Sequence, residues 1–386
     1  MRKFQALSLS AALLASLLLG GCANNAASSD AASSDSAASE PEATPEPTPA
    51  PPAANPLTGA ADADYTGKRP VAVTLRNMTG STPQWGIASA DVLVEGVTEG
   101  TTASLMALYA NPDSIAKAGP VGPARDLLLQ VALPLNAVPV HIDKNIYASN
   151  LLNTLAYQDL DGYHIGKTAF AFDQDRQNAG YAEENCWYTT AELINSGLAS
   201  YGVSLNGDNT PLFQFGERPA VDPADRSGMN LTITFSPDDI DCLNYDTGTG
   251  LYALSNGDGS PVQDADNGQQ VGFTNVFVFY ASSGIKDDGY TRQYDMTAGT
   301  GLYLHGGAWT KEDATGPFAI TNEAGETLVV SPGKSFIAIW GGYYGQSISL
   351  TAADGSAQTL PDKPALLESG ISDEAAAAAE ADYNAA

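Results

Sequence analysis

The sequence predicts an α+β fold in which a mixed α/β domain, residues 55–215, is followed by a mostly antiparallel β domain, residues 229–352. Two observations support this prediction. In the first range, short apolar runs bounded by Gly, Pro or Asn alternate with segments whose apolar residues recur at helical spacing. From about Leu231 onward, short strand-like runs are separated by turns rich in Gly, Asn and Asp, a pattern typical of an all-β sandwich or barrel.

Four strands and three helices are expected in the first range. The strands are the apolar runs at 71–75, 91–95, 104–109 and 137–142. The helices are expected at 125–133, at 148–155 and, from a capping box formed by Thr189 and Glu192, through Leu198.

Six strands are expected in the second range, at 231–235, 251–254, 274–280, 301–305, 327–330 and 336–340. Between the two ranges, residues 211–228 are rich in Pro, Arg and Asp, and we expect them to form an exposed connector. Residues 353–386 make an acidic, Ala-rich tail, which ends without an apolar stripe that would dock it onto either domain.

The N-terminal residues predict where the protein works. Arg2 and Lys3 precede a short apolar run that ends in Leu-Gly-Gly-Cys22, which is typical of a lipoprotein signal peptide over residues 1–21 with Cys22 as the acylated first residue of the mature chain. A free cysteine in an ordinary signal sequence, or a transmembrane helix, is the alternative. The apolar run is shorter than the ~20 residues that a helix needs to cross a bilayer.

Residues 22–54 are Ala, Ser, Pro and Thr with scattered acidic residues, and they lack the large apolar side chains that would offset the entropy of ordering them. We therefore expect a disordered tether. It would hold the folded part of the protein at the extracytoplasmic face of the cell membrane, to which the lipid on Cys22 is the predicted attachment.

Charge and cysteine content narrow the classes of partner. The chain has 45 acidic and 17 basic residues and a formal net charge of -28, so we expect no binding to nucleic acid, which requires basic residues to displace counterions. Cys186 and Cys242 could pair in an oxidising compartment, but two cysteines do not by themselves indicate a disulfide framework.

Several short blocks, taken in order, resemble the YerB-like family of exported lipoproteins. In the first half they are Asn55-Pro-Leu-Thr-Gly59, Arg69-Pro-Val-Ala-Val73, Glu99-Gly100 and Gly119-Pro-Val121 with Ala124-Arg125; in the second half they include Trp309-Thr-Lys311 and Ser331-Pro-Gly-Lys334. The resemblance covers nearly all of the chain after the tether. It implies an exported lipoprotein, and it implies no particular biochemical activity.

The sequence departs from that family's pattern at three places. The family usually has arginines where this chain has Ser104 and Gly122, and a Pro-His-Asn triplet where it reads Glu183-Glu184-Asn185. If those groups form an anion-binding or catalytic pocket in relatives, the resemblance leaves a set of candidate binding residues here, which are Glu95, Glu99, Arg125 and Asn185.

Glu95 and Glu99 suggest a carboxylate pair of the kind that cleaves glycosidic bonds. Four residues apart on a regular strand they would be roughly 13 Å apart, although a bend at a neighbouring glycine would shorten that distance. The alternative is a pair of solvated or salt-bridged glutamates. Arg125, after a Gly/Pro loop and at the start of a helix, suggests an anion site, and the alternative is that Asp126 and Arg125 serve only the helix end and a neighbouring ion pair.

Other chemical motifs are weak, and we expect no metal and no cofactor. His141-Ile-Asp143 and Asp161-Gly-Tyr-His164 lack the spacing of a zinc motif, and the acidic runs that begin at Asp173 and Asp264 lack the full pattern of a calcium loop. The sequence contains no nucleophile elbow, no Ser-x-x-Lys set of the penicillin-binding type, and no phosphate-binding loop.

Two functions are consistent with these observations. The first is a noncatalytic module that binds a cell-wall polymer or an envelope protein, with the aromatic residues Tyr252, Tyr303, Trp309 and Trp340 as possible contacts. The second is a cell-wall hydrolase in which Glu95 or Glu99 acts as acid or base and Arg125 orients the substrate.

Overall fold

Two large β-sheets and five short α-helices form the framework of the chain in the structure, a computed structural model, which describes residues 53–314, 318–343 and 345–367. The predicted signal peptide, Cys22 and nearly all of the predicted tether lie outside these ranges, as does the predicted tail beyond residue 367. Within the described ranges, no helix is long and apolar enough to cross a membrane.

The helices are α1 Asp126–Ala132, α2 Ile146–Thr154, α3 Gly162–Ile165, α4 Gln174–Asn178 and α5 Ala191–Tyr201. The strands of the first half are β1 Val71–Arg76, β2 Val92–Glu99, β3 Thr102–Tyr109, β4 Val138–His141, β5 Leu160–Asp161, β6 Ala171–Phe172, β7 Trp187–Tyr188 and β8 Gln214–Phe215. Those of the second half are β9 Asn230–Ser236, β10 Asp239–Asp246, β11 Leu251–Asn256, β12 Gly272–Phe273, β13 Asn275–Tyr280, β14 Ser283–Ile285, β15 Arg292–Tyr294, β16 Gly299–His305, β17 Ala308–Ala314, β18 Ile320–Thr321, β19 Val329–Val330, β20 Ser335–Trp340 and β21 Ser347–Thr351.

The larger sheet has ten strands, in the order β18-β17-β16-β13-β20-β2-β3-β1-β4-β5, and it draws them from both halves of the sequence. The two halves meet where β20 pairs in parallel with β2, from Val92 opposite Ser335 to Gly96 opposite Ile339. Strand β20 also pairs in parallel with β13. The second half is therefore antiparallel in most of its pairings but parallel at this junction, a pairing that local sequence patterns do not predict.

The smaller sheet has five antiparallel strands, in the order β12-β11-β10-β9-β21, and it covers part of one face of the larger sheet. Leu93 and Val97 of β2 share a core with Leu231 and Ile233 of β9. On the opposite face, Val94 packs in a second core with Leu127 of α1. Because the larger sheet is covered on both faces, β1 and β20 are buried along almost their whole length, which explains their continuous apolar sequences.

Several details correct the expectations from the sequence. Helix α5 is capped by Thr190, whose hydroxyl accepts a hydrogen bond from the Leu193 amide, whereas Thr189 is buried and donates its hydroxyl to the Ala169 carbonyl. The expected connector is exposed only in part, because Leu212 and Phe213 are buried and β8 pairs with β19.

The longest of the strands that the sequence did not predict are β10, β17 and β21. Strands β10 and β17 hold acidic residues at positions that in a regular alternating pattern would be apolar, whereas β21 is a short run in which Ile348 and Leu350 alternate with polar residues. Strand β10 reads Asp-Ile-Asp-Cys-Leu-Asn-Tyr-Asp, so its acidic residues resemble turn residues in the sequence. Two of those acidic residues contribute to the site described next.

Candidate functional site

A pocket of about 380 Å³ lies between the two large sheets, at the end of strand β1. Strand β2 contributes Glu95 to its wall, and strand β10 contributes Asp239 and Asp241. The three carboxyl groups therefore come from both halves of the sequence. We call this space the acidic pocket; its other lining residues are Asn77, Met78, Thr79, Thr82, Gln84, Ile87, Leu93, Leu105, Pro237, Asp238, Ile240, Leu254, Asn256, Gly257, Asp258 and Val262.

Glu95 is the most enclosed of the three acidic residues, with 2% of its surface exposed. Its Oε1 atom accepts a hydrogen bond of 2.6 Å from the side-chain amide of Asn77. Asn77 in turn accepts a hydrogen bond of 2.8 Å from the Gln84 amide. This chain of amides holds the Glu95 carboxyl group in one orientation toward β10.

The carboxyl groups of Asp239 and Asp241 line the same pocket as that of Glu95 and lie close enough to it for the three to share protons. Burial raises the pKa of Glu95 well above the usual value for a glutamate, and the adjacent charges of Asp241 and Asp239 raise it further. Burial likewise raises the pKa of Asp241, and burial together with Asp241 raises that of Asp239. Carboxyl groups in such a cluster retain protons at a pH where an exposed carboxyl group is fully ionised.

One oxygen of each aspartate, the Oδ2 atom, is buried and receives no hydrogen bond from a donor in the described part of the chain. A proton shared with Glu95 supplies a donor to this cluster, since two ionised carboxylates cannot donate to each other. The acidic pocket thus presents O–H donors, carboxylate acceptors and amide groups beside an apolar wall that includes Ile87 and Leu93. This combination suits a neutral or cationic ligand that has several hydroxyl or amide groups.

Glu99 does not join Glu95 in this pocket. A β-bulge between Val97 and Glu99 shifts the register against β3, so the side chains of Glu95 and Glu99 lie on opposite faces of the sheet. On the far face Glu99 forms two contacts with the Arg125 guanidinium, 2.6 Å from Oε1 to Nε and 2.9 Å from Oε2 to Nη2. Arg125 also donates to the Ala124 carbonyl, so its donors are largely used within the protein.

Asn185 lies in a second pocket, of about 610 Å³, together with Arg76, the last residue of β1. Its side-chain amide donates a hydrogen bond of 3.2 Å to the Gly80 carbonyl. The three departures from the YerB-like pattern all lie near this second pocket. Ser104 is opposite Arg76 on the neighbouring strand, and a Cβ on Gly122 would lie 3.3 Å from Arg76 Cγ. The third departure contains Glu184, which with Asn185 lines the pocket.

One group of side chains in the described ranges has the composition of a metal site, and a lysine already occupies it. His141, Asp159 and Asp161 offer ligand atoms that all lie within 4.8 Å of one another. Lys144 Nζ contacts both aspartates at 2.9 Å, and His141 Nε2 lies 2.9 Å from Asp159. A metal ion would have to displace the ammonium group, so this cluster is an ion-pair network that ties the end of β4 and the segment before α2 to the start of β5.

The remaining candidates have structural roles. The run at Asp173 begins helix α4, which Asp173 caps while it pairs with Lys117, and the run at Asp264 forms a turn in which Asp264 accepts hydrogen bonds from the Gly86 and Ala88 amides. Cys186 and Cys242 are free thiols.

The expected aromatic contact surface is mostly absent. Tyr252, Tyr303 and Trp340 are buried in the cores, which leaves Trp309 as the partly exposed member of that set. The binding hypothesis therefore cannot rest on an aromatic platform built from these residues.

Two family models match this chain. Their descriptions are Protein of unknown function (DUF3048) N-terminal domain, over residues 57–204, and Protein of unknown function (DUF3048) C-terminal domain, over residues 231–337. The chain belongs to the DUF3048 family. The resemblance to YerB-like proteins is thereby confirmed, and it is supported by two individual comparisons.

The first comparison is with a protein of Bacillus subtilis (strain 168) named "Putative lipoprotein YerB", which is 26% identical over 300 residues, 74% of this chain and 85% of the relative. The second is with the crystal structure of the YerB protein from Bacillus subtilis. It superposes with a TM-score of 0.67 at 24% identity and covers 77% of this chain and 99% of that chain. The structural likeness establishes a shared fold.

Sequence reasoning missed Asp239, Asp241 and Arg76. A signal for the aspartates was present in the sequence. Asp239 and Asp241 are two residues apart, the spacing that places side chains on one face of a strand, and they follow closely after the predicted strand 231–235. Arg76 directly follows the apolar run 71–75, so the sequence places it at the end of a predicted strand. No local pattern indicated that these residues lie close to Glu95 and Asn185.

Proposed function

We propose that this protein is a lipid-anchored, noncatalytic binding protein of the extracytoplasmic membrane face, and that its acidic pocket binds a fragment of the cell-wall polymer. The observation that carries the proposal is the cluster of Glu95, Asp239 and Asp241 beside amide side chains and an apolar wall. Sugars with N-acetyl groups offer matching hydroxyls, amides and methyl groups. The net charge of -28 disfavours strongly anionic ligands at this site.

The location rests on the N-terminal sequence that ends in Cys22 and on the name of the Bacillus subtilis relative. If Cys22 carries the lipid, a Cys22→Ala variant should remain uncleaved or be released, because the acylated thiol is then missing. Fractionation of cells followed by a high-salt wash measures this, with Cys242→Ala as the matched control. Membrane retention of a processed Cys22→Ala protein would contradict lipid anchoring through this residue.

The contact between the carboxyl groups favours binding over hydrolysis. Glycosidases place the two carboxyl groups about 5 Å or more apart, because the scissile bond lies between them. Here the carboxyl group of Glu95 is close enough to both aspartates to share protons with them, which disfavours a sugar ring between the groups. The pair named in the sequence analysis, Glu95 and Glu99, is divided between the two faces of the sheet.

A second candidate is the hydrolase, and one observation favours it. The pKa of Asp239 is raised to about 7 by burial and by Asp241, a value suited to a general acid at neutral pH. In that case Asp239 would donate a proton to a leaving group, with Glu95 or Asp241 as the base.

One experiment distinguishes these functions. The full-length protein is titrated with a soluble disaccharide muropeptide in a calorimeter, and the mixture is then analysed by mass spectrometry for cleaved sugar or peptide. We expect binding without cleavage, and about tenfold weaker binding by Asp241→Asn, since a hydrogen bond to a charged group is worth roughly 1.5 kcal/mol or more. Glu323→Gln, an exposed turn substitution that also removes one carboxylate, is the control. Cleavage that Asp239→Asn abolishes would favour the hydrolase, and no binding at all would overturn the proposal.

A further inference from the structure

Arg76 stands out among the described arginines because its guanidinium group has no partner in the described part of the chain. The side chain is half-buried, and its Nε atom is buried without a hydrogen bond. The other six described arginines each have a hydrogen bond, an ion pair or an aromatic contact. A buried Nε–H without a hydrogen bond carries a desolvation cost, which Arg125, Arg176 and Arg226 share, but only Arg76 among the described arginines has no contact elsewhere on its guanidinium group to offset it.

Arg76 lines the second pocket, and other groups there can also bind an anion. The Asn185 amide uses one of its two N–H groups on the Gly80 carbonyl and keeps the other. Glycine backbone at Gly80 and Gly180 forms part of the wall, and a Cβ at either position would meet nothing within 4 Å, so the mouth is open. The pocket therefore has room for a group that Arg76 and Asn185 can bind together.

The charges around Arg76 favour a singly charged anion. Glu184 is exposed and lines the same pocket, and its carboxylate lies close enough to influence Arg76 without forming an ion pair with it. A doubly charged phosphate would be repelled by Glu184 and by the acidic protein as a whole. A carboxylate carries one charge and matches the planar fork of a guanidinium group.

The second pocket lies beside the acidic pocket. Met78, Thr79 and Thr82 line both, so the segment after β1 forms a ridge between them. Arg76 and Asn77 are consecutive, and their side chains go to opposite sides of this ridge, Arg76 to the second pocket and Asn77 to Glu95. A single ligand that crosses the ridge would meet a cation on one side and carboxyl groups on the other.

We propose that Arg76 and Asn185 form a carboxylate subsite, and that the ligand is a wall fragment whose peptide carries a free carboxylate beside its N-acetyl sugar. This inference rests on the proposed function, which it makes more specific. Sugar and amide groups occupy the acidic pocket, and the peptide carboxylate crosses the ridge to Arg76. The ridge residue Met78 is exposed and contacts the ligand between the two ends.

The test compares two probes that differ in one group: muramyl dipeptide with its free carboxylate, and the same molecule with that carboxylate converted to a carboxamide. Calorimetry with the full-length protein should show at least tenfold tighter binding of the carboxylate form. In Arg76→Gln this preference should disappear, while Arg76→Lys should keep part of it because the charge remains and the fork is lost. Lys167→Gln, which removes an exposed positive charge elsewhere, should leave the preference unchanged.

A second measurement separates failure of this inference from failure of the proposed function. Acetate is titrated into the ¹⁵N-labelled full-length protein, and the Asn185 side-chain resonances are followed by NMR, with inorganic phosphate as the competing probe. An acetate-dependent shift that is lost in Arg76→Gln supports the subsite even if muramyl dipeptide does not bind, in which case only the proposed function fails. Equal binding of the two dipeptide forms without an acetate shift, or a stronger response to phosphate than to acetate, would overturn the inference.

Discussion

Arg125 and Arg76 show how the surroundings of a residue decide its role. Both lie near the same end of the large sheet, and Arg125 was the stronger candidate from the sequence because it opens a helix after a Gly/Pro loop. In the structure, Glu99 occupies the guanidinium group of Arg125 through two contacts. The donors of Arg76 remain available. At the scale of single residues, whether the guanidinium N–H donors are free to bind a ligand separates a binding arginine from a structural one.

The Arg125→Ala substitution tests the scaffold role. Removing the guanidinium group leaves the Glu99 carboxylate, whose side chain is 18% exposed, without its partner. We expect a loss of about 3 kcal/mol in the free energy of unfolding, because the remaining charge is mostly buried. Denaturant unfolding measures this loss.

The double variant Arg125→Ala/Glu99→Ala is the control for that measurement. It should recover part of the stability, since no charge is then left unpaired. Unchanged stability of Arg125→Ala, together with weaker binding of an acidic wall fragment, would instead identify Arg125 as part of a binding site.

At the scale of elements, strands β2 and β10 face each other across the space between the sheets. Because of the β-bulge in β2, Glu95 points toward β10 and Glu99 points toward α1. One strand therefore places a carboxyl group on each face of the larger sheet. The acidic pocket depends on this facing arrangement, because the carboxyl groups contact one another only when the two sheets are packed. Unfolding therefore returns all three groups to water and to ordinary pKa values.

This arrangement predicts a pH dependence of stability. The folded-state pKa values are raised, to about 7 for Asp239, so between about pH 4 and pH 7 the folded protein binds more protons than the unfolded chain. The free energy of unfolding should consequently fall as pH rises through this window. Thermal melting between pH 5 and pH 7.5 should show a decrease in Tm of several degrees from these groups.

The isosteric variant Glu95→Gln should flatten that pH profile and raise the Tm at pH 7.5, because it removes one buried carboxylate. Glu323→Gln, at an exposed turn, should reproduce the wild-type profile. One outcome would contradict the proton-sharing cluster: the Tm of the wild-type protein rises with pH, and this rise is absent in both Glu95→Gln and Asp241→Asn.

At the scale of the whole molecule, the pairing of β2 with β20 joins the two halves of the sequence into one sheet. The division into domains at 55–215 and 229–352 stays a prediction about how independently each half can fold. The shared sheet argues for strong coupling, because separating the halves would expose two central strand edges that are buried on both faces.

A protease site inserted between Pro219 and Asp225 tests this coupling. These residues are mostly exposed and join the halves through one covalent link. After cleavage we expect the two fragments to co-elute on gel filtration and to unfold in one transition. Fragments that separate and melt independently would show that the two ranges are autonomous domains.

Much of the fold follows from local sequence. Apolar runs such as 71–75 and 336–340 identify buried strands, and the helical spacing after Arg125 identifies α1. Thr190 rather than Thr189 caps α5 because backbone geometry selects between adjacent hydroxyl residues, which composition alone does not resolve. Strand β10 escaped prediction because its inward-facing positions hold acidic residues, which local rules assign to turns.

The sequence by itself determined the family and the predominance of strands, and it predicts a signal peptide that ends before Cys22 and no binding of nucleic acid. Only the tertiary structure decided that Glu95 lies beside Asp239 and Asp241, that a β-bulge turns Glu99 away, and that the Arg76 guanidinium group has no partner among the described residues. The physical reason is the separation along the chain of the residues that interact. Strand and helix patterns arise from neighbours in the chain, whereas sheet order and the packing of two sheets bring together residues more than 140 positions apart, as Glu95 and Asp241 are.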